Sequence, residues 1–269
     1  MSHPMGSPVG TDQPNAARVY DYVLGGTHNF EADRQAAEFM ISLVPSTRKW
    51  VRMLRAFLQE AVRLLVEEGF DHFLDLGSGL PTEDHIHAIA PHAKVIYTDI
   101  DPVAVAYSRE LLAGNPNVRY LQADMKRPET FLNAPEIREL FGDERRVAIG
   151  FNAVSPFFTP EEMRHVMQAL YDWAAPGSKM FATFETKAAG KMTPRMAQFL
   201  AMFEQMGQPF YFYTLEECQE LVRPWRPDHR GFRPLVEWLG LPPDYITEDI
   251  TEEDREGVDL EFYGVILEK

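Results

Sequence analysis

The sequence predicts an α/β fold. It consists of a Rossmann-like, seven-stranded, mostly parallel sheet with an antiparallel last strand, helices on both faces, and an N-terminal helical cap. Three observations predict it. Short apolar runs alternate with helix-length amphipathic segments from residue 69 to residue 185, the pattern of repeated βα units. The run Phe73-Leu-Asp-Leu-Gly-Ser-Gly-Leu80 couples a buried strand to a glycine turn. Backbone without Cβ atoms admits a ligand there, and a helix start offers unpaired N–H groups. Three successive strands end in an acid, at Asp75, Asp99 and Asp124. That gathers the acids at the carboxyl edge of one sheet, where open α/β folds bind ligands.

Residues 1–14 are rich in Pro, Gly and Ser and are expected to be a disordered tail. Residues 15–68 are the cap. A short helix over 18–24 is stopped by Gly25-Gly26, and a second helix covers 31–43. A third runs from 47 to 68. Its Trp50, Leu54, Phe57, Leu58, Ala61, Leu64 and Leu65 fall on one face of a 3.6-residue period, and Gly69 ends it. Residues 69–227 form the ligand-binding core. Strands are expected at 71–76, 94–98, 118–123, 146–153 and 178–185, and helices at 82–90, 102–113, near 134–141 and at 160–174. Pro102 behind Asp101, and Pro160 behind Thr159 with Glu162 following, are well-formed helix starts. A helix at 193–206 and a capped helix at 214–222 lead to a sixth strand within 221–227. Residues 228–258, polar and acidic, read as an insertion, and 259–269 as the closing strand.

The 269 residues suit one large α/β domain, and 45% hydrophobic content is enough for its core. A net charge of −15 repels a nucleic-acid backbone and anionic lipid, so neither is an expected partner. With no run of about 18 apolar residues and no signal peptide, the chain is expected to be cytoplasmic. The single Cys218 excludes an intrachain disulfide and a cysteine metal cluster, and reads as a buried helix position. His85-Ile-His87 beside Glu83 and Asp84 imitates a metal cluster. Positions i and i+2 do not share a helix face, so the segment reads as a solvated helix start and no metal is expected.

Two cofactor classes use such a sheet edge. A dinucleotide fingerprint needs G-x-G-x-x-G/A, and here Thr82, preceded by Pro81, holds the third position. Asp75 weighs more, because a bare carboxylate in an apolar strand is costly without donors. In S-adenosylmethionine enzymes an acid at this place commonly organises the glycine loop and the ligand's amino-acid end. Gly77, Ser78 and Gly79 then approach the ligand. Asp99, with Ile100 beside it, accepts ribose hydroxyls, and Asp124, followed by Met125, accepts the adenine amino group. Asp101 reads as the N-cap of the next helix. Asn152 and Ala153, at the end of the fourth strand, are placed beside the methionine moiety. The expected cofactor is S-adenosyl-L-methionine.

The opening Ala17-Arg-Val-Tyr-Asp-Tyr-Val-Leu-Gly-Gly-Thr-His-Asn-Phe-Glu-Ala-Asp-Arg34 resembles the signature R-V-Y-D-Y-x-L-G-G-x-x-N-F-x-A-D-R of a bacterial family of S-adenosylmethionine-dependent methyltransferases. Phe73 to Thr82 is similar to that family's glycine loop, Tyr97 to Pro102 to its ribose motif, and Gln122-Ala-Asp124 to its adenine motif. The resemblance spans about residues 14–225 and the last strand. It implies a class I methyltransferase fold and cofactor, and names no acceptor. Two features depart from the pattern. Phe151-Asn-Ala-Val-Ser-Pro-Phe-Phe158 lacks the His or second carboxylate expected near an acceptor, and residues 228–258 look inserted.

The segment before the first strand is expected to fold over the cofactor as a lid. Arg18 is expected to pair a carboxylate, and Tyr20 or Tyr22 to face the sulfonium, with Tyr22 counted among the cofactor residues. His28, Asn29 and Phe30, with Phe157, are expected to line the acceptor pocket. A general base is needed only if the acceptor must lose a proton, and Asp21, His28 and Glu185 are the candidates. The expected activity is methyl transfer to a small-molecule acceptor. The alternatives are a non-catalytic S-adenosylmethionine-binding regulatory protein and a nicotinamide-dependent oxidoreductase.

Overall fold

A computed structural model describes residues 11–81, 84–187, 193–248, 250–251 and 260–269. The cap comes first, as α1 (Ala16–Leu24), α2 (Glu31–Leu43) and α3 (Thr47–Glu67). The Asn15 side chain caps α1 by accepting from the Ala17 N–H at 2.8 Å, and Gly25 ends the helix in the left-handed region. The predicted face of α3 is the buried one, with Leu64 half-buried at its margin. Val19, Val23, Ala37 and Met40 of the first two helices belong to the same apolar core as α3. At about 1.5–3 kcal/mol for each large side chain fully buried, the cap is an integral layer.

The core follows as β1 (His72–Asp75), α4 (Ile86–Ile89), β2 (Lys94–Asp99), α5 (Pro102–Leu111), β3 (Val118–Gln122), α6 (Pro135–Phe141), β4 (Ala148–Phe151), α7 (Pro160–Trp173) and β5 (Lys179–Lys187). Then come α8 (Pro194–Gln205), α9 (Leu215–Leu221), β6 (Arg226–Pro227), β7 (Arg233–Pro234), α10 (Leu235–Trp238) and β8 (Leu260–Glu268). The sheet order is β3-β2-β1-β4-β5-β8-β6, the expected seven strands, with two-residue β7 added against β8 as an eighth. Strands β1 to β5 are parallel, and β8 runs antiparallel to β5 along all nine of its residues. Successive residues alternate between two cores. Phe73, Val95 and Tyr97 face the cap, whereas Leu74, Ile96 and Ile149 face α6, α7 and α9. Burial on both faces is why these strands read as continuous apolar runs.

The chain lays β2 and β3 on one side of β1 and then returns to lay β4 on the other. Asp75 of β1 is thereby level with Gly150 of β4. The crevice beyond these two strand ends is a topological switch point, where such sheets bind ligands.

Three expectations are corrected. The helix over 82–90 reduces to the single turn α4, while residues 82–83, Thr82 included, lie outside the described residues. The sixth strand is confined to β6, because the Thr214/Glu217 capping box starts a helix that runs through Leu221. Residues 228–248 are not a bare insertion. Trp238 of α10 packs edge-on against Phe57 at 5.3 Å and donates its indole N–H to the Gly264 carbonyl at 3.0 Å. Of the expected tail, residues 1–10 lie outside the described residues, as do 249 and 252–258 of the acidic segment and residue 259 of the expected closing strand. Cys218 is buried as expected, and burial pushes its thiol up to about 12. No helix among the described residues is long and apolar enough to cross a membrane.

Candidate functional site

A cavity of about 720 Å³ opens at the switch point, within the range of roughly 300–1,000 Å³ usual for small-molecule sites. The strand ends contribute Asp75, Gly77, Ser78, Gly79, Asp99, Ile100, Asp124, Met125, Asn152, Ala153 and Glu185 to its wall, all of them predicted. Helix α1 sits over the glycine loop. The Ala17 Cβ lies 3.6 Å from where a Gly79 Cβ would stand.

The loop is held from both sides. Gly77 has φ +60°, and a Cβ there would meet Val154 Cγ1 at 2.8 Å, so only glycine fits. Ser78 Oγ and Thr98 Oγ1 both donate to the Asp75 carbonyl, at 2.9 and 3.0 Å, and the Tyr120 hydroxyl donates to the Gly79 carbonyl. Asp99 accepts from the Gly79 N–H and the Asp101 N–H, each at 2.9 Å. Burial nevertheless pushes its carboxyl up to about 6, against the pull of those donors. Asp101 caps α5 through the Val103 N–H, as predicted. The Asp124 carboxylate accepts from the Lys126 N–H at 2.9 Å.

Burial likewise pushes Asp75 up to about 7, opposed by the Ser78 donor and the Arg55 charge. Its neighbour is His85, which sequence reasoning set aside as solvated. His85 is buried, lines the cavity and places Nε2 3.8 Å from Asp75 Oδ2. Its Nδ1 accepts from the Ile86 N–H at 3.0 Å, which leaves the proton on Nε2. Burial, then the nearby Arg55 and His87 charges, hold it neutral. The argument from i, i+2 spacing fails because α4 begins only after His85. His87 instead turns to the Tyr97 hydroxyl, 2.9 Å from its Nδ1.

On the other side of the crevice, Ala153 takes φ +60°, a left-handed conformation rare outside glycine, with its N–H donating to Thr183 Oγ1 at 2.7 Å. The Asn152 amide donates to the Leu54 carbonyl at 3.3 Å, and its Oδ1 is buried without a partner. Glu185 on β5 is only 5% exposed, and its Oε2 accepts from Ser155 Oγ at 2.9 Å. Burial pushes this carboxyl up to about 7. Phe157 packs edge-on to Phe210 at 5.5 Å, and Phe210 against Phe203 at 4.8 Å, making an aromatic wall.

The polar cluster of the cap goes elsewhere. Arg18 is buried with its Nε 3.3 Å from Asp33 and 3.6 Å from Asp101, tying α1 to α2 and to the start of α5. Tyr22 faces outward and donates to Glu38 at 2.7 Å. Tyr20, the alternative, lines the cavity and donates to the Val51 carbonyl at 3.2 Å. His28, Asn29 and Phe30 are not in the cavity wall. His28 lies edge-on to Tyr107, and Phe30 lies under the Arg18 guanidinium. Asp21 does line the cavity, but its Oδ2 accepts from the His28 N–H and the Asn29 amide, both at 2.9 Å. It acts as the clamp of the Gly25-Gly26 loop, which is why the loop's polar groups turn inward on themselves. Of the three candidate bases, His28 lies outside the cavity wall and Asp21 is engaged by the cap loop, while Glu185 lines the cavity.

Arg55 of α3 was missed. It is buried in the cavity wall, with Nε and Nη1 lacking hydrogen-bond partners and Nη1 3.9 Å from Asp84. Its guanidinium lies 5.8 Å from the Tyr20 ring centre. The signal for it was there: Val51, Arg55, Leu58 and Val62 form a helical row whose other members are apolar and buried. A buried cation whose Nε and Nη1 make no hydrogen bond, close enough to Asp75 to lower its pKa, complements a zwitterion. The amino-acid end of S-adenosyl-L-methionine is such a group, so the residues present fit that cofactor.

Comparison with known proteins agrees. The family described as S-adenosyl methyltransferase matches residues 2–242. The crystal structure of a provisionally assigned methyltransferase from Thermobifida fusca superposes with a TM-score of 0.83 at 31% identity, over 98% of this chain and 99% of that one. A DUF574-family protein from Streptomyces avermitilis gives 0.80 at 28% identity, over 96% and 98% of the two chains. A mycolic acid cyclopropane synthase solved with S-adenosylhomocysteine shares the fold, with a TM-score of 0.54 at 12% identity over 78% and 83%. None of the curated proteins matches.

Proposed function

Because the chain belongs to the S-adenosyl methyltransferase family, with S-adenosyl-L-methionine as cofactor, we propose that it transfers the cofactor's methyl group to a small molecule held in the same cavity. The family sets aside the nicotinamide alternative. What supports the proposal is the make-up of one cavity wall, which carries strand-end carboxylates and glycine backbone together with Tyr20, Trp50, Phe157, Phe210 and Glu185.

When bound, S-adenosyl-L-methionine supplies a methyl carbon already activated by a sulfonium. In this reading Asp99 holds the ribose hydroxyls, Asp124 and Met125 flank the adenine, and Asp75 and Arg55 take the amino-acid end. With the electrophile preactivated, the chain's contribution is proximity, alignment and exclusion of water, effects that reach about 7–11 kcal/mol in well-oriented systems. Glu185, basic for a carboxylate and still ionisable near neutrality, is the residue suited to take a proton from the acceptor. The test is acceptor-dependent release of S-adenosylhomocysteine from the purified protein. Stoichiometric cofactor binding, with no turnover across a broad panel of small molecules, would favour a regulatory binding protein.

A further inference from the structure

We infer that the acceptor is an apolar, ring-sized molecule bearing one weakly acidic hydroxyl, a phenol or enol, whose proton is taken by Glu185. This rests on the cofactor assignment above and names the substrate class that the rest of the cavity wall would take.

The walls decide the first part. Tyr20, Met40, Trp50, Phe157 and Phe210 present apolar and aromatic surface, against which an unpaired polar substituent is costly and a ring is favoured. The carboxylates decide the second. Asp75, Asp99 and Asp124 stand at the strand ends assigned to the cofactor, and Asp21 clamps the cap loop. Asp84 pairs with Arg55 and accepts from Gln59. Glu185 remains. Ser155 holds its Oε2, and the carboxyl borders the cavity where a ligand's proton could reach it. Tyr20 cannot compete as a base, because burial pushes its phenol up to about 12. Glu185 titrates near 7, so it is largely ionised at mildly alkaline pH and basic enough to assist loss of a phenolic proton. A protonated amine would be repelled by the sulfonium and the Arg55 guanidinium but attracted by ionised Glu185, so it is the rival acceptor that the binding comparison must separate from a phenol.

The step balances without any further reagent. The acceptor oxygen forms the new bond to the methyl carbon, and the methyl–sulfur bond breaks with its electron pair passing to sulfur. The hydroxyl proton passes to Glu185 and reaches solvent once the products leave.

The experiment titrates three probes by calorimetry into wild-type protein saturated with S-adenosylhomocysteine: 2-naphthol, its methyl ether 2-methoxynaphthalene, and 2-naphthylmethylamine. 2-Naphthol should bind about tenfold or more tightly than the ether, which lacks the hydrogen bond to a charged acceptor. With S-adenosyl-L-methionine in place of the product, 2-naphthol should be converted to 2-methoxynaphthalene. Glu185→Gln, whose amide oxygen can still accept a neutral hydrogen bond, should weaken 2-naphthol several-fold and lose on the order of a hundredfold in transfer rate. Phe210→Ala should weaken 2-naphthol several-fold and leave S-adenosylhomocysteine affinity unchanged. The inference is overturned if S-adenosylhomocysteine binds but 2-naphthol does not, if ether and naphthol bind alike, if the amine binds best, or if Glu185→Gln transfers at the wild-type rate. Failure of S-adenosylhomocysteine itself to bind would strike at the cofactor assignment instead.

Discussion

Arg55 and Asp99 both line the cavity but stand in different relations to the fold around it. Arg55 is a cation on a buried helix row, with Nε and Nη1 making no hydrogen bond and Asp84 3.9 Å away as its ion-pair partner. If it holds the cofactor carboxylate, Arg55→Met should weaken S-adenosylhomocysteine by about tenfold to a hundredfold, the worth of a hydrogen bond to a charged group. It should leave 5′-methylthioadenosine, which lacks the amino-acid end, unaffected. Calorimetry with both ligands separates this from a general loosening, which would weaken both alike. Asp99 differs because it also completes the fold. Its carboxylate satisfies the N–H groups of Gly79 and Asp101. Asp99→Ala should therefore lose about tenfold to a hundredfold in cofactor affinity and also lower stability, since each buried donor left unpaired costs about 1–3 kcal/mol. Parallel binding and denaturant-unfolding measurements should show both losses. An unchanged affinity would reduce Asp99 to a loop anchor.

Among the elements, strands β1 to β5 and the three cap helices were legible in sequence, and the facing of the cap's polar loop was not. Strands buried on both faces must be apolar throughout, so β1 to β5 announced themselves, and their terminal acids marked the edge that carries the cavity. Helix starts with an N-cap and Pro, as at α5 and α7, were equally plain. The direction in which the loop over residues 25–30 faces was not written locally. It depends on Asp21, a residue inside α1 that reaches across the turn to His28 and Asn29. His85 was misplaced for a related reason: α4 starts one residue after it, so helical spacing did not apply. The observed arrangement makes a divided prediction for the cap. Asn15, Ala16, Ala17, Tyr20 and Asp21 line the cavity, whereas His28, Asn29 and Phe30 do not. Amide hydrogen exchange should slow over residues 16–21 when S-adenosylhomocysteine is added and stay unchanged over 28–30. Equal protection of both stretches would mean that the whole loop closes on the ligand.

At the scale of the molecule, the cavity concentrates charge that the sheet must bury. Asp75, Asp99 and Glu185 are each less than a tenth exposed, and burial raises their pKa values to about 7, 6 and 7. The sign of the linkage follows. A carboxyl whose pKa is higher in the folded state binds its proton more tightly there, so the native state holds more protons than the unfolded chain between the two values. Stability contributed by such a group is greatest below its unfolded pKa, and declines as pH rises through its folded one. This is opposite to a salt-bridged surface carboxylate. For Glu185 the interval runs from the ordinary 4.5 to about 7, a cost on the order of 3 kcal/mol once ionisation is complete. Glu185→Gln keeps the shape and can still accept from Ser155, but it never ionises. The difference in melting temperature between Glu185→Gln and the ligand-free parent should be small near pH 4 and grow in favour of the variant as pH rises. It should level off above about pH 8, where the parent's carboxyl is fully charged. A cationic ligand in the cavity stabilises the ionised carboxylates, so saturating S-adenosyl-L-methionine should flatten this pH dependence in the parent. A difference that stays constant from pH 4 to 8 would mean that Glu185 is not charged at a cost in the folded cavity, and would remove it as the base.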